Sequence, residues 1–238
     1  MYVHLHNIAE RCQLLQRAAI IRVAEAETRP RLEALCRELA MTVVVGTIES
    51  AGDRFANSAL VVGPTGYMAT YTKLHLPNAG EKAWFVAGEQ FPVVTSRGWT
   101  FGVGICYDLR FPEIFRTAAQ YGADFFLLPV GGSGGGSGLE QVQYLKQLAM
   151  QLMPAHAIDN ALYIFCANQA GTSGNAHFPG FTLAVDPQGI LVDECLAGEG
   201  MTVTEVSREA IALARCSGCY TAAETRPDVY AAARRVGG

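Results

Sequence analysis

Cysteine, lysine and carboxylate are the side chains of this sequence whose spacing could support covalent chemistry, and Cys106 is the one the others gather around. It lies in the stretch Gly102-Val-Gly-Ile-Cys-Tyr-Asp-Leu-Arg-Phe-Pro-Glu113. The first half, from Trp99 to Ile105, is apolar or small and reads as a buried strand. The second half turns polar and then helical, with Pro112 at a first helical position and Ile114, Phe115, Ala118 and Ala119 at helical spacing behind it. A thiol in the turn between them meets backbone N–H groups and the positive end of a helix, which favour the thiolate. This is the geometry of an activated nucleophile, by the strand–turn–helix logic of a serine elbow. The competing reading is a small buried core cysteine, the usual state of a free thiol.

Partners shift that balance. Lys73 stands in Tyr71-Thr-Lys-Leu-His-Leu-Pro77, at the end of a strand, and Glu81 follows four residues after Pro77. A lysine at a strand end is commonly a solvated charge. Beside a cysteine it would instead lower the thiol pKa and stabilise an oxyanion. His75 would share the face of Lys73 if the strand continues, which leaves open a cysteine–histidine pair. His156 reads as a helix surface residue and His177 as a loop residue. Trp84, Phe85 and residues 131–138 are candidates to line a pocket. Cys216-Ser-Gly-Cys219 is a lone CxxC without the second pair or histidines that a zinc site requires.

These residues need elements to hold them. Residues 8–26 carry a helical pattern, interrupted near Thr28-Arg-Pro30, and a second helix runs through Leu32, Leu35, Cys36 and Leu39. Thr42 to Glu49 is a β-branched strand of the buried kind. Ser58 to Val62, the turn Gly63-Pro-Thr-Gly66 and Tyr67 to Tyr71 read as a hairpin. Asp124 to Pro129 is another buried strand, and Gln141 to Asp159 a long helix, in which Pro154 should introduce a kink or mark the final turn. Leu162 to Asn168, Phe181 to Val185 and Met201 to Val206 read as strands, and Arg208 to about Ala214 as a final helix. Helices alternate with strands in one part and hairpins intervene in another, so two sheets packed together with helices outside are expected.

The chain has 238 residues, half of them hydrophobic and 17% charged, which suits one globular α/β domain over residues 1–238. The run 131–138, Gly-Gly-Ser-Gly-Gly-Gly-Ser-Gly, is a flexible loop or linker rather than a domain boundary. A net charge of −4 without a basic run argues against nucleic acid or an anionic membrane as partner. No apolar run approaches the ~20 residues of a membrane span. The opening Met1-Tyr-Val-His-Leu-His has neither the basic region nor the apolar core of a signal peptide. The seven cysteines are odd in number and sit mostly in apolar stretches, which suits a reducing, cytoplasmic location.

The order of these stretches resembles the nitrilase, or carbon–nitrogen hydrolase, superfamily over nearly the whole chain. The Cys106 and Lys73 motifs carry the resemblance. Val44-Val-Gly-Thr-Ile-Glu49, Gly63-Pro-Thr-Gly66, Gly122-Ala-Asp124, Asp159-Asn160, Ala167-Asn-Gln-Ala-Gly171, Asp186-Pro-Gln-Gly189 and Arg226-Pro-Asp-Val-Tyr230 follow in series. The resemblance implies a four-layer α-β-β-α sandwich and a Glu–Lys–Cys catalytic set. Carried over by motif, Cys106 is the nucleophile, Lys73 the electrostatic stabiliser, the Tyr107 backbone N–H an oxyanion donor, and Glu81 a carboxylate that orients the set. Arg110 and Glu113 would fix the elbow and Asn168 would buttress it.

The implied reaction is hydrolysis of a non-peptide carbon–nitrogen bond, in an amide or N-carbamoyl compound, through a thioester on Cys106. It needs no cofactor and no metal, and the Cys-Tyr-Asp-Leu-Arg-Phe-Pro-Glu wording looks more amidase-like than nitrile-directed. A homodimer or larger homo-oligomer is implied as well. One departure stands out. The family's general-base glutamate follows its first strand in a Pro-Glu motif, and Met1 to Asn7 looks like the segment just after it. An N-terminally truncated sandwich with impaired catalysis is therefore expected. The alternative is a catalytically inactive relative kept for binding or assembly.

Overall fold

The computed structural model describes residues 27–132, 139–173, 176–196, 198–217 and 220–232. The first described helix, α1, covers residues 27–38 and takes in Pro30 near its described start. Two things support it. Arg29 and Glu33 form an ion pair one turn apart at 3.0 Å, and Leu32 and Cys36 dock on Leu60, Val62, Val43 and Val45 of the sheet below.

That sheet is built by the β-branched and hairpin segments: β1 (Val43–Ala51), β2 (Arg54–Gly63) and β3 (Gly66–Thr72), antiparallel in that order. The next elements are α2 (Ala79–Trp84) and β4 (Phe85–Val86), which pairs in parallel with the start of β2. Phe85 and Trp84, candidates for a pocket, instead pack with Phe55, Ile48 and Leu76.

The second sheet has six strands in the order β12-β11-β8-β7-β6-β5. They are β5 (Val93–Ser96), β6 (Trp99–Val103), β7 (Phe125–Val130), β8 (Tyr163–Asn168), β11 (Thr182–Val185) and β12 (Leu191–Cys195). The centre, β6-β7-β8, is parallel because helices α3 (Pro112–Gln120) and α4 (Leu139–Asn160) make the crossovers. A small hairpin, β9 (Ala170–Ser173) with β10 (Ala176–Pro179), stands apart and carries exposed His177, expected in a loop.

Side-chain alternation sorts the layers. Phe126, Leu128, Ile164 and Cys166 point to α3 and α4, where they meet Phe115, Ala118, Met153 and Ala157. Phe101, Val103 and Ile105 point the other way and meet Ala59, Val61 and Tyr71 of the first sheet. With α1 outside one sheet and α3 and α4 outside the other, the fold is an α-β-β-α sandwich.

Two expectations need correction. Residues 201–206 alternate in exposure like a strand but join no ladder, and the Val203 N–H donates instead to the Asp193 carboxylate at 2.7 Å. The segment leads into α5 (Arg208–Cys216), capped by Ser207. Helix α4 covers the expected span from 141 to 159 and runs on to Asn160, with Pro154 inside it. The ring lacks an N–H for the Met150 carbonyl, which sits on an exposed turn where water can take its place. His156 is 6% exposed, not a surface residue: it stacks on Phe115 and its Nε2–H donates to the Leu109 carbonyl at 2.9 Å. A 3₁₀ turn (Thr221–Glu224) and α6 (Pro227–Ala231) follow. Among the described residues, no helix is long and apolar enough to cross a membrane. The expected helix over 8–26, the opening Met1 to Asn7, and residues 133–138 of the Gly/Ser run lie outside the described residues.

Candidate active site

Lys73 continues the line of β3, its amide donating to the Asn57 carbonyl of β2 at 2.8 Å. The residue is 2% exposed, which rules out the solvated-charge reading. A buried ammonium requires a partner, and Glu81 provides it: Lys73 Nζ donates to Glu81 Oε1 at 2.7 Å. Glu81 is held in turn from two sides. Asn57 Nδ2 donates to the same oxygen at 3.2 Å. Asn78 caps α2, its Oδ1 accepting from the Glu81 N–H at 2.9 Å. The loop between β3 and α2 thus brings together two charges eight residues apart in the chain.

Cys106 opens a 3₁₀ turn, Cys106–Arg110, directly after β6, and Pro112 then starts α3. Its φ of +50° lies in the left-handed region, which costs an L-residue roughly 1–2 kcal/mol. Something must over-determine such a conformation, and the candidate is a residue that sequence reasoning passed over. Asp108, fully buried, accepts four hydrogen bonds. Its Oδ2 takes the Ile105 N–H at 2.8 Å and the Tyr71 O–H at 2.7 Å. Its Oδ1 takes the His75 N–H at 3.1 Å and His75 Nδ1–H at 2.7 Å. A signal existed in the sequence: an aspartate three residues after the residue that caps the turn can reach back to its amide.

The other residues fall around this turn. The Tyr107 amide belongs to the first turn, where N–H groups have no partner within the helix. Arg110 is exposed, donates to the Tyr144 hydroxyl at 2.8 Å and lies against the Tyr107 and Tyr144 rings, so it ties the elbow to α4. Glu113 is exposed in the first turn of α3, where its charge suits the helix end. Asn168, at the end of β8, grips the Gly132 backbone with both halves of its amide, at 3.0 and 3.2 Å. His75 is stacked on Phe111 at 3.5 Å and bonded to Asp108, so the cysteine–histidine pair is not formed.

The electrostatics correct one further expectation. Burial pushes the Cys106 thiol up from its ordinary value. The positive charge of Lys73 and a backbone hydrogen bond from Gly131 pull it down, while the charges of Glu81 and Asp108 push it up again. Desolvation is the largest of these effects and leaves the thiol above its ordinary value, so its attack on a carbon centre calls for a base. Cys166, buried on β8, is also pushed up, mainly by burial. Among the described residues no group of three or more histidines, cysteines or carboxylates is placed to hold a metal ion.

A family profile described as carbon-nitrogen hydrolase matches residues 4–216. A nitrilase of Pyrococcus abyssi is 33% identical over 168 residues, which are 70% of this chain and 59% of that protein. An (R)-stereoselective amidase of a Pseudomonas species is 31% identical over 202 residues, covering 83% of this chain and 70% of the relative. Among solved structures, an amidase of Nesterenkonia sp. AN1 superposes with a TM-score of 0.72 at 25% identity, over 90% of this chain and 76% of the other. A variant of that amidase has been solved in complex with butyramide.

Proposed function

Because the chain belongs to the carbon–nitrogen hydrolase family, we propose that it hydrolyses the C–N bond of a small amide or N-carbamoyl compound through a thioester on Cys106. The observation that carries this reading is the buried Lys73–Glu81 pair facing a strained cysteine turn, since Lys73 acts electrostatically on that thiol. The amidases among its relatives, one of them with bound butyramide, support an amide as substrate.

The thiol gives its proton to a carboxylate as sulfur bonds to the carbonyl carbon. The carbonyl π electrons move to oxygen, where Lys73 and the Tyr107 N–H stabilise the charge. The C–N bond then breaks, the nitrogen takes up the proton, and ammonia or an amine leaves. Water attacks the thioester, gives its proton to the same carboxylate, and the acid departs as the thiol is regenerated. Among the described residues Glu81 is the carboxylate at the lysine. The resemblance assigns the main base to a Pro-Glu glutamate, and Glu81 to orienting the set. Cytoplasmic location and assembly into homodimers or larger homo-oligomers remain part of this proposal.

Ammonia release from butyramide, related aliphatic amides and N-carbamoyl amino acids tests it. Turnover that disappears in Cys106→Ala, with an acyl adduct on the Cys106 peptide of the unaltered protein, is the expected result. Turnover that survives the substitution would overturn the assignment.

A further inference from the structure

We propose that Asp108 is a positioning residue that clamps the lysine-bearing loop to the nucleophile turn, so that Lys73 and Cys106 move as one unit. The inference deepens the reading of Cys106 and Lys73 given above and rests on it.

The geometry is that of a two-sided staple. One carboxylate oxygen faces the elbow, taking the amide of Ile105, the residue before the nucleophile, and the hydroxyl of Tyr71, two residues before the lysine. The other faces the loop beyond the lysine and takes both the amide and the ring Nδ1–H of His75. Tyr71 adds a second tie, its hydroxyl accepting from the Leu74 N–H at 3.3 Å. The residues on both sides of Lys73, at 71, 74 and 75, are thereby fixed to the turn that holds Cys106 at positive φ. The two sites come from different sheets, β3 in one and β6 in the other, and Lys73 and Cys106 are 33 residues apart in sequence. Without a link of this kind, sliding of one sheet on the other would change the distance between ammonium and thiol. Displacement of about 1 Å at a reacting group costs roughly 10²-fold in rate.

Four donors converge on an acceptor-only group, and this makes Asp108→Asn a discriminating variant. The shape is kept, but the amide NH₂ must replace one oxygen. In one orientation it opposes the two His75 donors, and in the other it opposes Ile105 and Tyr71. Either way one side of the staple opens while the other persists, which preserves the fold.

The experiment measures kcat and KM for the hydrolysed amide in the unaltered protein, Asp108→Asn, His75→Ala and the double variant. It also follows iodoacetamide labelling of the Cys106 peptide against pH. The clamp predicts a fall in kcat of roughly 10- to 10²-fold in Asp108→Asn, with KM within about threefold. It predicts a smaller fall in His75→Ala and no additivity in the double variant, because opening either side already releases the loop from the turn. Unchanged kcat in folded Asp108→Asn, or strictly additive losses, would overturn it. If Asp108→Asn fails to fold, His75→Ala decides alone, since that side chain is partly exposed: lowered kcat supports the clamp and unchanged kcat overturns it. If no amide is hydrolysed, the proposed function fails, but the clamp is still judged by the high-pH plateau of Cys106 labelling. There a lower rate in His75→Ala supports it and an unchanged rate overturns it.

Discussion

Replacing Lys73 by methionine should separate what the buried ion pair does for stability from what it does for catalysis. The methionine chain keeps the length and apolar stem of lysine and removes the ammonium. Lys73 and Glu81 side chains are 3% and 9% exposed, so the carboxylate left behind stays out of water. Removing one partner of a buried pair costs about 3–5 kcal/mol. Asn57 Nδ2 still donates to Glu81 Oε1, which favours the lower end, about 3 kcal/mol. A domain with ~5–15 kcal/mol of stability remains folded at that cost. The catalytic loss is separate, because removing one preorganised oxyanion stabiliser costs about 2.7–4 kcal/mol, or 10²–10³ in kcat.

Adding Glu81→Leu to Lys73→Met removes the stranded charge. An apolar replacement of a buried pair is often neutral or stabilising, so the double variant should regain most of the lost stability and none of the turnover. Urea denaturation followed by fluorescence of the two tryptophans, together with ammonia release, reads both quantities. Turnover within about threefold of the unaltered protein in Lys73→Met, or turnover that returns with stability in the double variant, would refute the reasoning.

Gly88 donates its N–H to the Lys73 carbonyl at 2.9 Å, and a Cβ there would stand 2.2 Å from the Thr72 carbonyl oxygen. Gly88→Ala should therefore cost about 1–3 kcal/mol and lower kcat by shifting the lysine, measured by urea unfolding and steady-state kinetics. Asn168→Ala strands the buried Gly132 N–H and C=O, at about 1–3 kcal/mol, and loosens the Gly131 amide that holds the thiol down. Its Cys106 labelling profile should move to higher pH. Burial lowers the pKa of His156 below its ordinary 6.5, so the unfolded chain takes up that proton first. Stability should fall as pH drops below about 6.5, and His156→Gln, which keeps a donor for the Leu109 carbonyl, should flatten that slope in urea midpoints taken at high and low pH.

Reading the sequence alone reached the cysteine turn, the lysine motif and the layer order because each is locally encoded. A β-branched run such as Val43 to Val45 favours a pleated sheet, and Pro112, with its preset φ and no N–H to satisfy, suits the first position of a helix. Residues 201–206 show the limit: period-2 patterning marks a segment as fit for a sheet but does not supply the neighbour that makes it a strand. The histidines show another, since whether His156 lies under a helix or on it depends on what Phe115 and Leu109 bring to it.

What the residues themselves determined was the inventory: a thiol in a turn, an ammonium and a carboxylate eight residues apart, and the strands to carry them. Only the tertiary structure decided their burial and mutual hold. The elbow's local electrostatics argued for a thiolate, whereas burial imposes a desolvation penalty that no sequence window contains and pushes the thiol up from its ordinary value. Asp108 read as one more polar residue of the motif. Folding placed it against Tyr71 and His75, 37 and 33 residues away in the chain, because the two sheets pack face to face and a buried carboxylate there has to find its donors across the layer.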